Sequence, residues 1–266
     1  MSPTEEKPYK VGLALSGGGA RGIAHIGVIK ALLEHEIQVD VIAGTSAGSI
    51  IGTLFAAGKS PEEMKTFVES ASLIRSLFPA RPNKGLLNLH YLNKQLSKHI
   101  KEDSFDALKI PLHVNMTKLS TGETVVRHSG MLFEIVCASC AIPLVFQPVI
   151  IEEETYVDGG LLLNLPTSVI RDQCDVLIGV NLIPFREVPE KKIKSVKSVL
   201  ERCFDLTIIN HSQLEREICD VLIEPEAVSD YHIFQFQKVE ELIELGYQSG
   251  LKAIPTIKEK LELVKH

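Results

Sequence analysis

A serine flanked by glycines, Gly44-Thr45-Ser46-Ala47-Gly48, directly follows the apolar run Val41-Ile42-Ala43. G-x-S-x-G at the end of a strand and the start of a helix forces the serine onto a sharp turn with its hydroxyl projected outward. Gly44 and Gly48 keep side chains clear of it on both sides. A second glycine-rich turn, Ser16-Gly17-Gly18-Gly19-Ala20-Arg21-Gly22, follows the strand-like run Val11 to Leu15. Gly17, Gly18 and Gly19 tolerate the dihedrals that point successive N–H groups into one concavity. The helix opening behind them adds a positive dipole end. A nucleophile beside an anion site is the apparatus of acyl transfer, in which the N–H groups hold the oxyanion formed on attack. These residues predict a serine hydrolase.

A serine hydroxyl needs a base. The chain has nine histidines, and the late ones are His211, inside a helical pattern, His232 in Asp230-Tyr231-His232-Ile233-Phe234, and the terminal His266. None has a distinctive context. Asp158 is better placed, because Thr155-Tyr156-Val157-Asp158-Gly159-Gly160 ends a short strand in two glycines that permit close backbone approach. Asp-Gly alone also reads as an ordinary turn. With a free pKa of about 3.9, an aspartate is a poor base at neutral pH. Asp158 serves only if burial raises its proton affinity within hydrogen-bond reach of Ser46.

The elements that must carry these residues alternate strand and helix. Val11 to Leu15 and Val41 to Ala43 read as buried strands, and Ala20 to His35 and Ala47 to Ala57 as helices. Ser60-Pro61-Glu62-Glu63 supplies a cap, a first-turn proline and first-turn acids for the next helix. Ser72 to Leu89 reads either as a flap over an apolar site or as a surface connection with buried anchors. The pattern then predicts a helix over His90 to Lys101, strands over Leu112 to Thr117 and Glu123 to Arg127, and a helix over Met131 to Cys140. Extended segments follow at Pro143 to Ile151 and Glu154 to Val157, then a helix from Pro166 to Asp172 and a strand from Asp175 to Val180. The remainder predicts a long helix over Val196 to Ile218, a short strand at Val221 to Glu224, and a helix over Val239 to Val264 broken near Gly246 to Gly250. This alternation implies an α/β fold with a mostly parallel sheet covered on both faces. Without an internal repeat or low-complexity linker, one domain is expected over 9–266 after an N-terminal tail at 1–8, with the motifs in 9–175 and a helical part at 195–266.

A net charge of −6 removes the electrostatic case for nucleic acid and for a purely charge-driven dock onto anionic lipid. Met1 to Lys7 shows no basic start followed by an apolar core, so no secretory signal is expected, and the five cysteines are expected to be reduced thiols in the cytoplasm. Val41 to Gly58 carries no charge, but its glycines, hydroxyls and central turn make it a buried strand–turn–helix and not a membrane span.

Rival readings exist for two motifs. Gly17-x-Gly19-x-x-Gly22 also fits a dinucleotide fingerprint, with Asp40 about 20 residues on. Asp40 precedes its strand, however, whereas the ribose-binding acid belongs at the strand's carboxyl end. Cys137-Ala138-Ser139-Cys140 is a C-x-x-C with no second pair, weak as a metal or redox site. No metal or cofactor is expected.

Taken together, Gly-Gly-Gly-x-Arg-Gly, the serine motif about 25 residues on, Ala138-Ser139-Cys140-Ala141-Ile142-Pro143-Leu144-Val145-Phe146-Gln147-Pro148-Val149 and Asp158-Gly159-Gly160 resemble the patatin-like phospholipase family in type, order and spacing, from about Tyr9 to Asp175. The chain looks similar to small single-domain bacterial members. The resemblance implies a three-layer α/β/α sandwich distinct from the α/β-hydrolase fold. It implies a Ser46–Asp158 dyad without histidine, an oxyanion hole from Gly17, Gly18 and Gly19, and supporting roles for Arg21, Gly22, Gly44, Gly48, Gly159 and Gly160. Arg21 either pins its loop by an ion pair or touches the reacting groups. Ser16 stands where many members carry aspartate, which leaves the backbone donors untouched. The implied substrates are fatty acyl esters, phospholipids or lysophospholipids, met through transient contact with a membrane surface. Acyl transfer to another acceptor and a non-catalytic regulatory role on the same fold are the alternatives.

Overall fold

The computed structural model describes residues 10–70, 89–190 and 193–265. The expected tail at 1–8, and residues 72–88 of the expected flap or connection, lie outside the described residues.

Strands form where the sequence is apolar on both faces. β1 (Val11–Leu15), β2 (Val41–Gly44) and, later in the chain, β7 (Val176–Val180) are buried at every position. The others are β3 (Leu112–Lys118), β4 (Glu123–Arg127), β5 (Val149–Ile151), β6 (Glu154–Asp158) and β8 (Val221–Ile223). Together they make an eight-stranded sheet of order β5-β6-β3-β2-β1-β7-β8, with β4 also paired to β3. Pairing is parallel from β8 through β7, β1 and β2 to β3. It turns antiparallel where β4 and β6 join β3 and β5 joins β6. The expected mostly parallel sheet therefore holds through its centre and gives way to antiparallel pairing at one side. The connection through Ser120-Thr121-Gly122 is too short for a crossover, so β4 must fold back on β3.

The helices of the described residues are α1 (Ala24–Glu34), α2 (Ala47–Ala56), α3 (Pro61–Ser70), α4 (His90–His99), α5 (Leu132–Ser139), α6 (Val196–Ile218) and α7 (Val239–Leu263). Alternation along the strands divides the core in two. Leu13, Leu15, Ile42, Ile178 and Val180 face the larger cluster, with Ile26 and Ile29 of α1 and Leu54 of α2. Ala14, Ala43 and Leu177 face a smaller cluster with Leu165, Ile170 and Ile218 at the end of α6. This is the three-layer α/β/α arrangement. Ser60 caps α3 as expected, and Glu63 completes a capping box: Glu63 N–H donates to Ser60 Oγ at 3.2 Å and Ser60 N–H to Glu63 Oε2 at 2.9 Å.

Three local expectations are corrected. Pro166 to Asp172 is not a helix but a series of turns ending in a 3-10 turn at Arg171–Gln173. The Glu215 carboxylate of α6 takes Thr167 Oγ1–H, Ser168 N–H and Ser168 Oγ–H, and so draws the chain away from a helical ladder. Between Pro143 and Ile151 only β5 is a strand; Val145 and Phe146 donate back to Ile142 C=O in a turn that puts Leu144 at φ 67°. Helix α7 runs unbroken through Gly246 and Gly250. Both glycines face α1, where a Cβ on Gly246 would enter the Ala24 carbonyl, so they mark a close helix crossing and not a break.

Candidate active site

Leu15 of β1 pairs with Gly44 of β2, so the glycine loop and the serine elbow leave the same carboxyl edge of the sheet, where ligand sites of α/β folds form. Asp158 ends β6 and pairs with Met116 of β3, beyond the point at which β2 has parted from β3. Its N–H donates to Ala141 C=O at 3.0 Å, and its own C=O accepts Thr117 Oγ1–H at 3.0 Å. Three loops thus converge over the end of β2.

Ser46 has φ 51° and ψ −122°, a conformation that L side chains rarely adopt, and it opens α2. Its N–H donates to Ser139 Oγ at 2.9 Å, and its C=O accepts Ser49 Oγ–H at 2.6 Å and Ser49 N–H at 2.9 Å. The strained turn is thereby fixed on both sides. Ser46 Oγ–H donates to Asp158 Oδ2 at 2.7 Å, and Gly160 N–H donates to Asp158 Oδ1 at 2.8 Å. Asp158 is only 3% exposed. Burial pushes its carboxyl up from 3.8 to about 6, against the opposing pull of the Ser46 and Gly160 hydrogen bonds. At neutral pH the group is ionised, with a proton affinity close enough to neutrality for general-base work.

The glycine loop is held from below. Ser16 Oγ accepts Leu182 N–H at 2.9 Å, and Ser16 C=O accepts the Nε2–H of His25 at 2.8 Å. Burial lowers the His25 pKa to about 4, which keeps that imidazole neutral. Gly17 N–H donates to Asn164 C=O at 3.1 Å. Of the three glycines, Gly18 and Gly19 keep N–H groups with no acceptor among the described residues. The Asn164 carboxamide lies against two motifs at once: a Cβ on Gly17 or Gly160 would stand 2.5 or 2.8 Å from its Oδ1. The other motif glycines let the loops stack. Gly22 faces Ala47 Cβ, Gly44 the Gly48 carbonyl, Gly48 the Leu15 and Ser16 carbonyls, and Gly159 the Asn115 backbone. Arg21 donates its Nε–H to Tyr231 C=O at 2.9 Å and feels the attracting charge of Asp205.

Other candidates are placed elsewhere. His211 and His232 are exposed, His232 Nδ1 accepts Phe234 N–H, and His266 lies outside the described residues. Asp40 Oδ2 accepts Val11 N–H at 2.8 Å at the start of β1, the opposite end from the glycine loop, which leaves the dinucleotide fingerprint without its acid. Cys137 and Cys140 are buried, and burial pushes the Cys137 thiol up to about 12 and that of Cys140 well above its usual value.

Beside Ser46 opens a cavity lined almost wholly by apolar groups, among them Ile50, Ile51, Phe67, Leu92, Ile142, Phe146, Ile233, Phe234 and Phe236. Sequence reasoning named none of them as a wall, and it gave no role to Ser139, Asn164 or His25. Ser139 stands inside the motif that runs from Ala138 to Val149, and a lone hydroxyl in an apolar helix was its available signal. Asn115 of β3 is buried under the elbow, where it accepts Thr45 Oγ1–H and donates to Leu163 C=O.

Residues 13–170, more than half of the chain, match the family model described as patatin-like phospholipase. The chain belongs to the patatin-like phospholipase family. Within that family it is similar to the Lysophospholipase NTE1 of Kluyveromyces lactis, 26% identical over 95% of this chain and 20% of the relative. It is 34% identical to the Mycosarcoma maydis Lysophospholipase NTE1 over 60% of this chain and 9% of the relative. An uncharacterised NTE family protein of Mycobacterium bovis is 34% identical over 65% of this chain and 49% of its own length. This patatin-like chain spans a fifth or less of the two NTE1 relatives. Two solved structures share its patatin-like fold at low identity. VipD from Legionella pneumophila matches with TM-score 0.54 and 14% identity over 89% of this chain and 67% of that one. The Pseudomonas aeruginosa ExoU–SpcU complex matches with TM-score 0.52 and 15% identity over 96% and 52%. Among the described residues no helix is long and apolar enough to cross a membrane.

Proposed function

We propose that the chain hydrolyses carboxylic esters of fatty acyl groups, with phospholipids or lysophospholipids as its substrate class. The observation that carries this reading is the 2.7 Å hydrogen bond from Ser46 Oγ to the buried Asp158 carboxylate, beside an apolar cavity and two backbone donors with no acceptor among the described residues. Ser46 Oγ attacks the ester carbonyl carbon while its proton passes to Asp158 Oδ2. The oxyanion takes hydrogen bonds from Gly18 and Gly19 N–H, donors worth on the order of 100- to 1000-fold in rate each. Collapse breaks the bond to the leaving alkoxide, and Asp158 returns the proton to it. Water, deprotonated by the same carboxylate, then attacks the acyl-enzyme; collapse breaks the bond to Ser46 Oγ, which takes the proton back from Asp158, and the fatty acid is released. The cavity accepts the acyl chain, whose transfer from water is favourable by about 0.8 kcal/mol per methylene. The substrate class is supported by the NTE1 relatives, which are lysophospholipases by name. Such a substrate is reached through transient contact with a lipid surface. Leu144, between the cavity residues Ile142 and Phe146, is 79% exposed and suits that contact.

The test is labelling by an alkyl fluorophosphonate alongside turnover of a panel of acyl esters. Wild type is expected to label and to hydrolyse acyl esters. Ser46→Ala is expected to do neither, and Asp158→Asn to lose turnover. Labelling that persists in Ser46→Ala overturns the nucleophile assignment. Labelling of wild type without turnover of any ester redirects the reading to acyl transfer.

A further inference from the structure

One wall of the cavity comes from outside the stretch that matches the family model. That stretch ends at residue 170, whereas Ile233, Phe234 and Phe236 belong to a strap at 231–236, just before α7. The strap is bonded to the glycine loop at two points. Ala20 N–H donates to Ile233 C=O at 2.8 Å, and Arg21 Nε–H donates to Tyr231 C=O at 2.9 Å. A third contact is steric: the Ile233 carbonyl oxygen lies so close to Gly19 that no Cβ fits there, and Gly19 itself stands at φ 58°. The strap's start is tied to α7 by Tyr231 Oη–H donating to Glu241 at 2.8 Å. The loop bearing the unpaired N–H groups and the wall facing the acyl chain are therefore one connected body.

We propose that this strap selects the length of the acyl chain, and that Arg21 is the positioning residue that sets it against the glycine loop. The inference rests on Ser46 being the nucleophile of an ester hydrolase. Each methylene accepted by an apolar wall tightens binding about fourfold, so a wall of two phenylalanines and an isoleucine fixes where that gain stops. The guanidinium Nε–H reaches a carbonyl that a lysine ammonium, as a flexible point charge, does not hold in the same direction.

The experiment compares kcat/KM for p-nitrophenyl butyrate and decanoate, with labelling rates for a short- and a long-chain alkyl fluorophosphonate. The proteins are wild type, Phe234→Ala, Phe236→Ala and Arg21→Lys. The long-to-short ratio is expected to change at least tenfold in the two phenylalanine variants. It is expected to move in the same direction in Arg21→Lys, mainly through KM of the long ester. Phe234→Leu and Phe236→Leu keep an apolar fill and report the same ratio if an alanine variant does not fold. A labelled wild type whose ratio is shared by every folded variant overturns the selector alone. A wild type that takes neither fluorophosphonate overturns the reading of Ser46, and the selector with it.

Discussion

Ser46 and Asp158 stand 112 positions apart in the chain, yet the serine hydroxyl donates to the aspartate at 2.7 Å. Neither residue reaches the other by local structure. Ser46 is delivered by the turn after β2, and Asp158 by an antiparallel strand that runs alongside β3 past the end of β2.

The Asp158 carboxyl, raised to about 6 by burial, is expected to give an acid limb to the proposed ester hydrolysis. kcat/KM for a soluble acyl ester is expected to rise with pH through one ionisation near 6 and to level off above it. Asp158→Asn should lose on the order of 100- to 10,000-fold in kcat, and the limb with it. A wild-type profile without an ionisation between about 5 and 7 counts against the aspartate as base.

Burial of that carboxyl also affects stability, with a definite sign. A carboxyl whose pKa rises from 3.8 to about 6 on folding destabilises the native state when ionised. That cost is absent below about pH 4, grows between about pH 4 and 6 by about 1.4 kcal/mol for each step of one in pH, and is constant above. Asp158→Asn is therefore expected to gain stability over wild type at pH 7 but not at pH 4, read from urea denaturation at the two values.

Ser46 stores backbone strain at φ 51°. Ser46→Ala and Ser46→Gly both remove the hydroxyl, so the difference between them isolates that strain. Glycine is expected to be the more stable of the two by about 1 kcal/mol, the reverse of the order inside an ordinary helix. Equal thermal melting of the two variants would contradict the strained elbow.

Ser139 Oγ is the acceptor for the buried Ser46 N–H. Ser139→Ala leaves that donor unpaired, at a cost of about 1–3 kcal/mol in stability, and frees the elbow to turn, lowering kcat. Ser139→Thr keeps a hydroxyl and should restore most of kcat; loss of kcat in both variants would point to packing instead.

At the crossing of α1 and α7, a Cβ on Gly246 meets the Ala24 carbonyl. Alanine is the better helix former by about 1 kcal/mol, yet Gly246→Ala is expected to destabilise the protein by about 1–3 kcal/mol, as overpacking does. Chemical denaturation decides the sign.

Local rules carried the sequence a long way. Apolar runs placed β1, β2 and β7, Ser60 and Glu63 fixed the start of α3, and the five residues around Ser46 dictated a strained turn on their own. These features depend on neighbours a few positions away, and sequence shows them directly. Where a distant group competes for a hydrogen bond or a surface, local rules fell short. Glu215 unwound the helix expected at Pro166 to Asp172, and α1 turned an expected break in α7 into a contact.

The sequence by itself determined which groups the proposed chemistry can draw on: a serine on an elbow, a run of glycines after a strand, and an aspartate before two glycines. Only the tertiary structure decided how they combine. Sheet register brought Ser46 to Asp158, burial set the proton affinity of that carboxyl, and Asn164 claimed Gly17 N–H, so that among the described residues Gly18 and Gly19 keep the free donors. Residue type and short spacing encode what a group can do. Its partners, its desolvation and the apolar walls around it come from segments far apart in the chain, and exist only once those segments have packed together.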